Sequence, residues 1–160
     1  MCSRKGQLNS IDFTTAMIVF VVLVVFLVTF WFVSVSHVAR GIKENKMGAE
    51  AIAVSDMLVK SPGIPPHWEV NSTGSTQALG LADSANVLNV GKLTEFSQID
   101  YETSKELLGI THEYYFYIED KWGNRLYETG NATIEEQAVS VGRFALLGEE
   151  KVIMRVVVHG

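Results

Sequence analysis

A run of uncharged, almost wholly apolar residues from Phe13 to Ser36, FTTAMIVFVVLVVFLVTFWFVSVS, constrains this chain more than any other feature. It covers roughly 24 positions, where the hydrocarbon core of a bilayer needs about 20 in helical form. At about 1.5 Å of rise per residue the run is about 36 Å long, enough to cross with some tilt. A short polar head, MCSRKGQLNSID, precedes it, and no second run of the kind follows. The pattern predicts one hydrophobic helix carrying one polar domain.

Beyond about residue 60 some 100 residues remain, enough for one modest core. The net charge of -5 lacks the basic footprint of a nucleic-acid binder, so no nucleic-acid partner is expected. The single cysteine, Cys2, excludes an internal disulfide and a thiolate metal site. It also precedes the apolar stretch, whereas a lipidation cysteine would follow one. The run is too long for the apolar region of a secretory signal peptide, and Ser34-Val35-Ser36 is only a weak approach to a cleavage site. An uncleaved signal anchor is the plain alternative.

The head itself carries a more specific pattern. Arg4-Lys5-Gly6-Gln7 is followed by Leu8-Asn9-Ser10-Ile11-Asp12-Phe13 and then the apolar run. This resembles the class III signal peptide of archaeal type IV pilin-like proteins, in which a short basic leader ends in glycine. The resemblance implies cleavage between Gly6 and Gln7 by a prepilin-peptidase-type membrane protease, leaving the helix on the mature chain. Basic residues hold such a leader on the cytoplasmic side, and glycine lets the protease approach the backbone closely. Asp12 reads either as an interfacial acid favoured by the helix dipole or, by the resemblance, as the acidic residue that pairs neighbouring subunits during assembly. Counted from Gln7, however, the fifth position holds Ile11 and the acid falls at the sixth. Charge counting opposes the implied orientation, with Arg4 and Lys5 on one flank and Arg40, Lys43 and Lys46 on the other. The resemblance nevertheless places the C-terminal domain outside the cell membrane.

Helical character should continue from His37 to about Lys60. Val38, Ile42, Ala49, Ile52, Ala53, Met57 and Leu58 recur at three-and-four spacing and predict the packed stripe. Arg40, Lys43, Glu44, Lys46 and Glu50 mark the opposite face. Ser61-Pro62-Gly63 stops the helix. Residues 61–110 read as mostly loop with short helical pieces, among them a helix within Leu93–Leu108 ended by Gly109. Tyr114-Tyr115-Phe116-Tyr117-Ile118 reads as a strand, Asp120–Asn124 as a turn and Arg125-Leu126-Tyr127 as the return. Ala138–Leu147 and Val152–Val158 form a second hairpin across Gly148-Glu149-Glu150. The segments Ser61-Pro62-Gly63-Ile64-Pro65-Pro66-His67-Trp68, Gly80-Leu81-Ala82, Asn89 with Lys92-Leu93, and Tyr101 to Leu107-Leu108-Gly109 are similar to the ectodomain cadence of archaeal pilin-like proteins.

These readings give an α+β protein: a long N-terminal hydrophobic transmembrane helix followed by a small antiparallel β-sheet domain, pilin-like. Residues 1–6 form a cleaved leader, 7–36 the transmembrane and assembly helix, 37–60 its amphipathic extension, and 61–160 an extracytoplasmic head. No enzyme is expected, and no catalytic, cofactor or metal site. His37, His67, His112 and His159 form no ligand pair at helical spacing and read as isolated surface residues. Glu135-Glu136 and Glu149-Glu150 read as solvated turns. Asn71 and Asn131 head N-x-S/T glycosylation sequons. The partners implied are the lipid bilayer, the processing protease and pilin-like subunits, self or related.

Overall fold

The computed structural model describes residues 5–70, 76–133 and 137–160. The chain divides into two compact units, Met1–Ile42 and Lys43–Gly160. The first is helix throughout its described length, part of α1, Lys5–Lys60. From Ile11 onward its described large apolar side chains are exposed, Phe13, Trp31 and Phe32 each above two thirds. One helix, among the described residues, is thus long and apolar enough to cross a membrane.

The second unit takes the last turns of α1 and adds β1 (Ala82–Ser84), β2 (Val87–Leu88), α2 (Val90–Phe96), α3 (Tyr101–Leu108), β3 (Glu113–Glu119), β4 (Arg125–Gly130), β5 (Ala138–Leu147) and β6 (Glu150–His159). The expected α+β arrangement is present. Its sheet has six strands in the order β1-β2-β5-β6-β3-β4. Both anticipated hairpins form in antiparallel register, and β3 pairs β6 along its whole length. The sheet is mixed rather than purely antiparallel, because β2 joins β5 in parallel at Val87–Leu146 and Leu88–Leu147. That pairing is two residues long and arises from the segment read as loop, whose strands are too short to show alternation.

Alternation decides the two sheet faces. Tyr114, Phe116 and Ile118 of β3 stand opposite Val158, Val156 and Met154 of β6, and all six are buried. Against this face lie Met47, Ala51, Val54 and Leu58 of α1, with Leu93 and Phe96 of α2 and Leu108 of α3. Phe96 meets Phe116 edge-on at 5.2 Å between ring centres. Burying a side chain such as Leu58 contributes about 2 kcal/mol.

The packed stripe of α1 differs from the expected one. Leu58 belongs to it and Met57 sits at its margin, but Ala49, Ile52 and Ala53 are exposed. Val38 and Ile42, in the first unit, are exposed as well. Polar ties fix the rotation: Glu50 bonds Thr111 and His112 on one flank, and Ser55 and Asp56 meet Arg143 on the other. With apolar residues on more than one side, periodicity alone could not choose between them.

The expected helix within Leu93–Leu108 is two helices. Asn89 Oδ1 accepts the Lys92 N–H at 3.1 Å and caps α2. Asp100 Oδ2 accepts the N–H groups of Glu102 and Thr103 and starts α3 afresh. Gly109 ends α3 in left-handed geometry, as its position predicts.

Candidate functional site

In the first unit the candidate site is the apolar helix itself. Its most apolar 18-residue window buries none of its surface, so the helix satisfies its own backbone but leaves its side chains uncovered. A bilayer or a bundle of like helices is the surrounding that relieves this. Asp12 is exposed at the helix's polar end. Gly6 and Gln7 lie in helical backbone at its first turn, and the leader residues before Lys5 fall outside the described residues.

In the second unit two carboxylates gather the polar side chains at the end of the sheet where β3 starts. Glu113 Oε2 accepts from the Tyr101 hydroxyl at 2.7 Å, and Glu113 Oε1 accepts from Lys105 Nζ at 2.5 Å. Lys105 first, then Tyr101, holds the Glu113 carboxyl at about 2, against 4.5 for the unperturbed group, with burial opposing. Burial, then Glu113, pushes the Tyr101 hydroxyl up. Glu50 lies nearby. Burial raises its carboxyl, but bonds from Thr111 and His112 outweigh that and leave it lowered. Thr111 Oγ1 donates to Glu50 at 2.7 Å and lies 3.4 Å from His112 Nδ1, which is itself 2.9 Å from Glu50. The carboxylate therefore accepts the threonine hydrogen bond, and the imidazole is placed as its second partner rather than as a base for the hydroxyl.

These bonds clamp α1, α3 and β3 together. A carboxyl depressed in the fold stabilises it above the unfolded value, and that stability is lost as pH falls toward the folded value. The head should therefore lose stability between about pH 4.5 and pH 2. Glu113→Gln should flatten that acid limb in unfolding midpoints followed by circular dichroism. An unchanged limb would remove Glu113 from the cause.

The histidines are not four isolated surface groups. His67 is exposed and so is His37, but His112 is paired with Glu50 and His159 is fully buried, its Nε2 3.1 Å from the Asn131 carbonyl oxygen. Position in a strand that ends under the β4 exit buries His159, which its place near the end of the sequence concealed. Glu149 and Glu150 are exposed at the β5–β6 turn, while Glu135 and Glu136 fall outside the described residues. So does the Asn71 sequon. At the other, Asn131 Oδ1 accepts the Thr133 N–H at 3.0 Å and holds the triplet in a turn. Among the described residues no group of three or more His, Cys, Asp or Glu is placed to hold a metal ion.

Sequence reasoning missed Lys92. Its ammonium is buried and donates to the carbonyls of Pro62 and Ala82, each at 3.0 Å. It joins the proline-rich loop to β1. No local pattern marks a lysine for burial; the partners lie 30 and 10 residues away. No protein family, curated protein or solved structure matches this chain.

Proposed function

We propose that this protein is a structural subunit of an archaeal type IV pilus-like surface filament, inserted in the membrane as a prepilin. The observation that carries the reading is an apolar helix with no cover of its own, preceded by Arg4-Lys5-Gly6-Gln7. A prepilin-peptidase-type protease removes residues 1–6, and the mature helix rests in the bilayer before joining other pilin-like helices. Loss of Arg4 and Lys5 leaves the mature chain more acidic than the -5 of the whole. The head is extracytoplasmic and supplies the contact surfaces, with Asn131 and Asn71 as glycan acceptors. Asp12 serves assembly.

The second reading is an uncleaved single-pass anchor for a binding or sensor domain. The uncovered helix supports it equally, and only the leader separates the two. Mass spectrometry of protein isolated from membranes is expected to find Gln7 at the N-terminus. Gly6→Val should block the cut and restore the leader's mass. Intact Met1 in the unaltered protein would leave the anchor as the surviving reading.

A further inference from the structure

The sheet ends in two unlike edges. On one, β4 is six residues long and carries Arg125 and Glu128, charges of the kind that blunt an edge. On the other, β5 is ten residues long, yet β2 covers it only at Leu146 and Leu147. The backbone directions on β5 follow from two bonds. Leu146 N–H donates outward to the Asn86 carbonyl, and the Gln137 carbonyl accepts inward from Gly160 beyond the end of β6. Since direction alternates along a strand, Ala138, Ser140, Gly142 and Phe144 turn their N–H and C=O groups away from β6. All four residues are exposed, Phe144 by 80%. No hydrogen bond joins these groups to another described residue.

We infer that the open edge of β5 is a self-association surface, where a second copy of the chain adds its own β5 antiparallel about a two-fold axis at Val141. A two-fold pairing must match outward residues with outward residues. Centred at Val141, Ala138 meets Phe144 of the second copy and Ser140 meets its Gly142, so all four residues are used. A centre one residue earlier or later leaves one of the four without an outward partner in the open stretch. Side-chain size agrees, since the large Phe144 comes opposite the small Ala138. A groove of about 450 Å3 lined by Ala85, Val87, Phe144, Leu146 and Lys151 lies where the added strand ends.

Charge marks this edge as the place where a second copy can approach. The chain carries a net charge of -5, so two copies repel over most of their surfaces. The open stretch of β5 contains no acid, and its one charge, Arg143, is neutralised by Asp56 at 2.8 Å. Acidic copies therefore meet on an edge that does not repel. The same ion pair shows which flank of α1 overlies β5. Ile52, one turn before Ser55 and Asp56, lies on that flank and is half-exposed. It adds apolar area beside the strand, which alone is about 24 Å long and too narrow for the roughly 800 Å2 per partner of a stable dimer. This inference belongs to the head and does not depend on leader removal.

The test uses the full-length protein in detergent, with Cys2→Ser removing the native thiol. Val141→Cys puts a thiol on the axis, in a non-hydrogen-bonded pair whose Cα atoms lie about 4.5 Å apart, within disulfide reach. Mild oxidation should then give a disulfide-linked dimer of the chain's own mass, and Val139→Cys should give almost none. Adding Ser140→Pro to Val141→Cys removes an outward N–H that the copy itself does not use, and should cut the yield at least about tenfold with the melting temperature kept. No linked dimer at Val141, equal linkage at Val139, or a yield untouched by Ser140→Pro would overturn the inference. So would a linked partner of any mass other than this chain's.

Discussion

Gly80→Ala is expected to destabilise the head by about 3 kcal/mol or more and to lower its melting temperature by on the order of 10 °C. A Cβ at Gly80 would lie 2.3 Å from the Ser61 carbonyl oxygen, 2.4 Å from the Gly63 nitrogen and 2.8 Å from the Pro62 carbonyl carbon. All three are backbone atoms, so no side chain can swing aside. Displacement would also travel. The Gly80 carbonyl accepts the buried Trp68 indole N–H at 2.9 Å, Leu81 N–H donates to the Leu58 carbonyl at the end of α1, and Ala82 N–H donates to Ser61. Moving Gly80 therefore loosens the indole, the helix end and the carbonyl that Lys92 uses. A domain of this size is stable by only about 5–15 kcal/mol. Gly48→Ala is the control: nothing lies within 4 Å of its Cβ position, and a helical alanine should raise stability by up to about 1 kcal/mol. Thermal unfolding of the two proteins in detergent, followed by near-UV circular dichroism, separates them. Equal midpoints would show that the Ser61–Gly63 backbone yields more easily than its bonds imply.

What was legible in the sequence is what local pattern controls. Tyr114 to Ile118 is aromatic and β-branched, and it forms β3, paired on both sides by β6 and β4. Gly148 and Glu149 turn β5 into β6 where turn chemistry placed them. Gly109 stops α3. Each of these is decided within a few residues. The pieces that escaped are decided at long range. The stripe of α1 that packs was chosen by Thr111, His112 and Arg143, none of them near it in sequence. The parallel pairing of β2 needs Leu146 and Leu147, some 60 residues on. Lys92 is buried because two distant carbonyls await it.

The candidate sites divide in the same way. Glu113 and Glu50 as hubs could not be read from spacing, since α3, α1 and β3 meet only in the fold. The open edge of β5 was equally hidden, because a strand's sequence does not say how much of it a neighbour covers. Its composition did hold a hint: Ala138-Val139-Ser140-Val141-Gly142 carries no charge in an acidic protein.

Placing three arginines in the apolar helix, Phe20→Arg with Val24→Arg and Leu27→Arg, should move the protein from the membrane pellet to the soluble or aggregated fraction. The three positions recur at helical spacing and are exposed on the helix, so no packed contact is lost within the chain. Near a bilayer's centre each arginine costs about 2.5–3.5 kcal/mol relative to a neutral position, and each substitution also removes an apolar contribution. Together they cost roughly 8 kcal/mol or more, which is comparable with the whole insertion energy of a single helix. Alanine at the same three positions keeps the stretch uncharged and should leave the protein in the pellet after alkaline washing. The contrast isolates charge from side-chain size. Both functional readings require this result, because a pilin-like subunit enters the membrane before it assembles and an anchor never leaves it. If the arginine-bearing helix stayed in the washed pellet as firmly as the alanine one, lipid would not be what covers Phe13–Ser36. A protein partner would then have to supply the apolar surroundings from the start, and the leader's processing by a membrane protease would lose its physical basis.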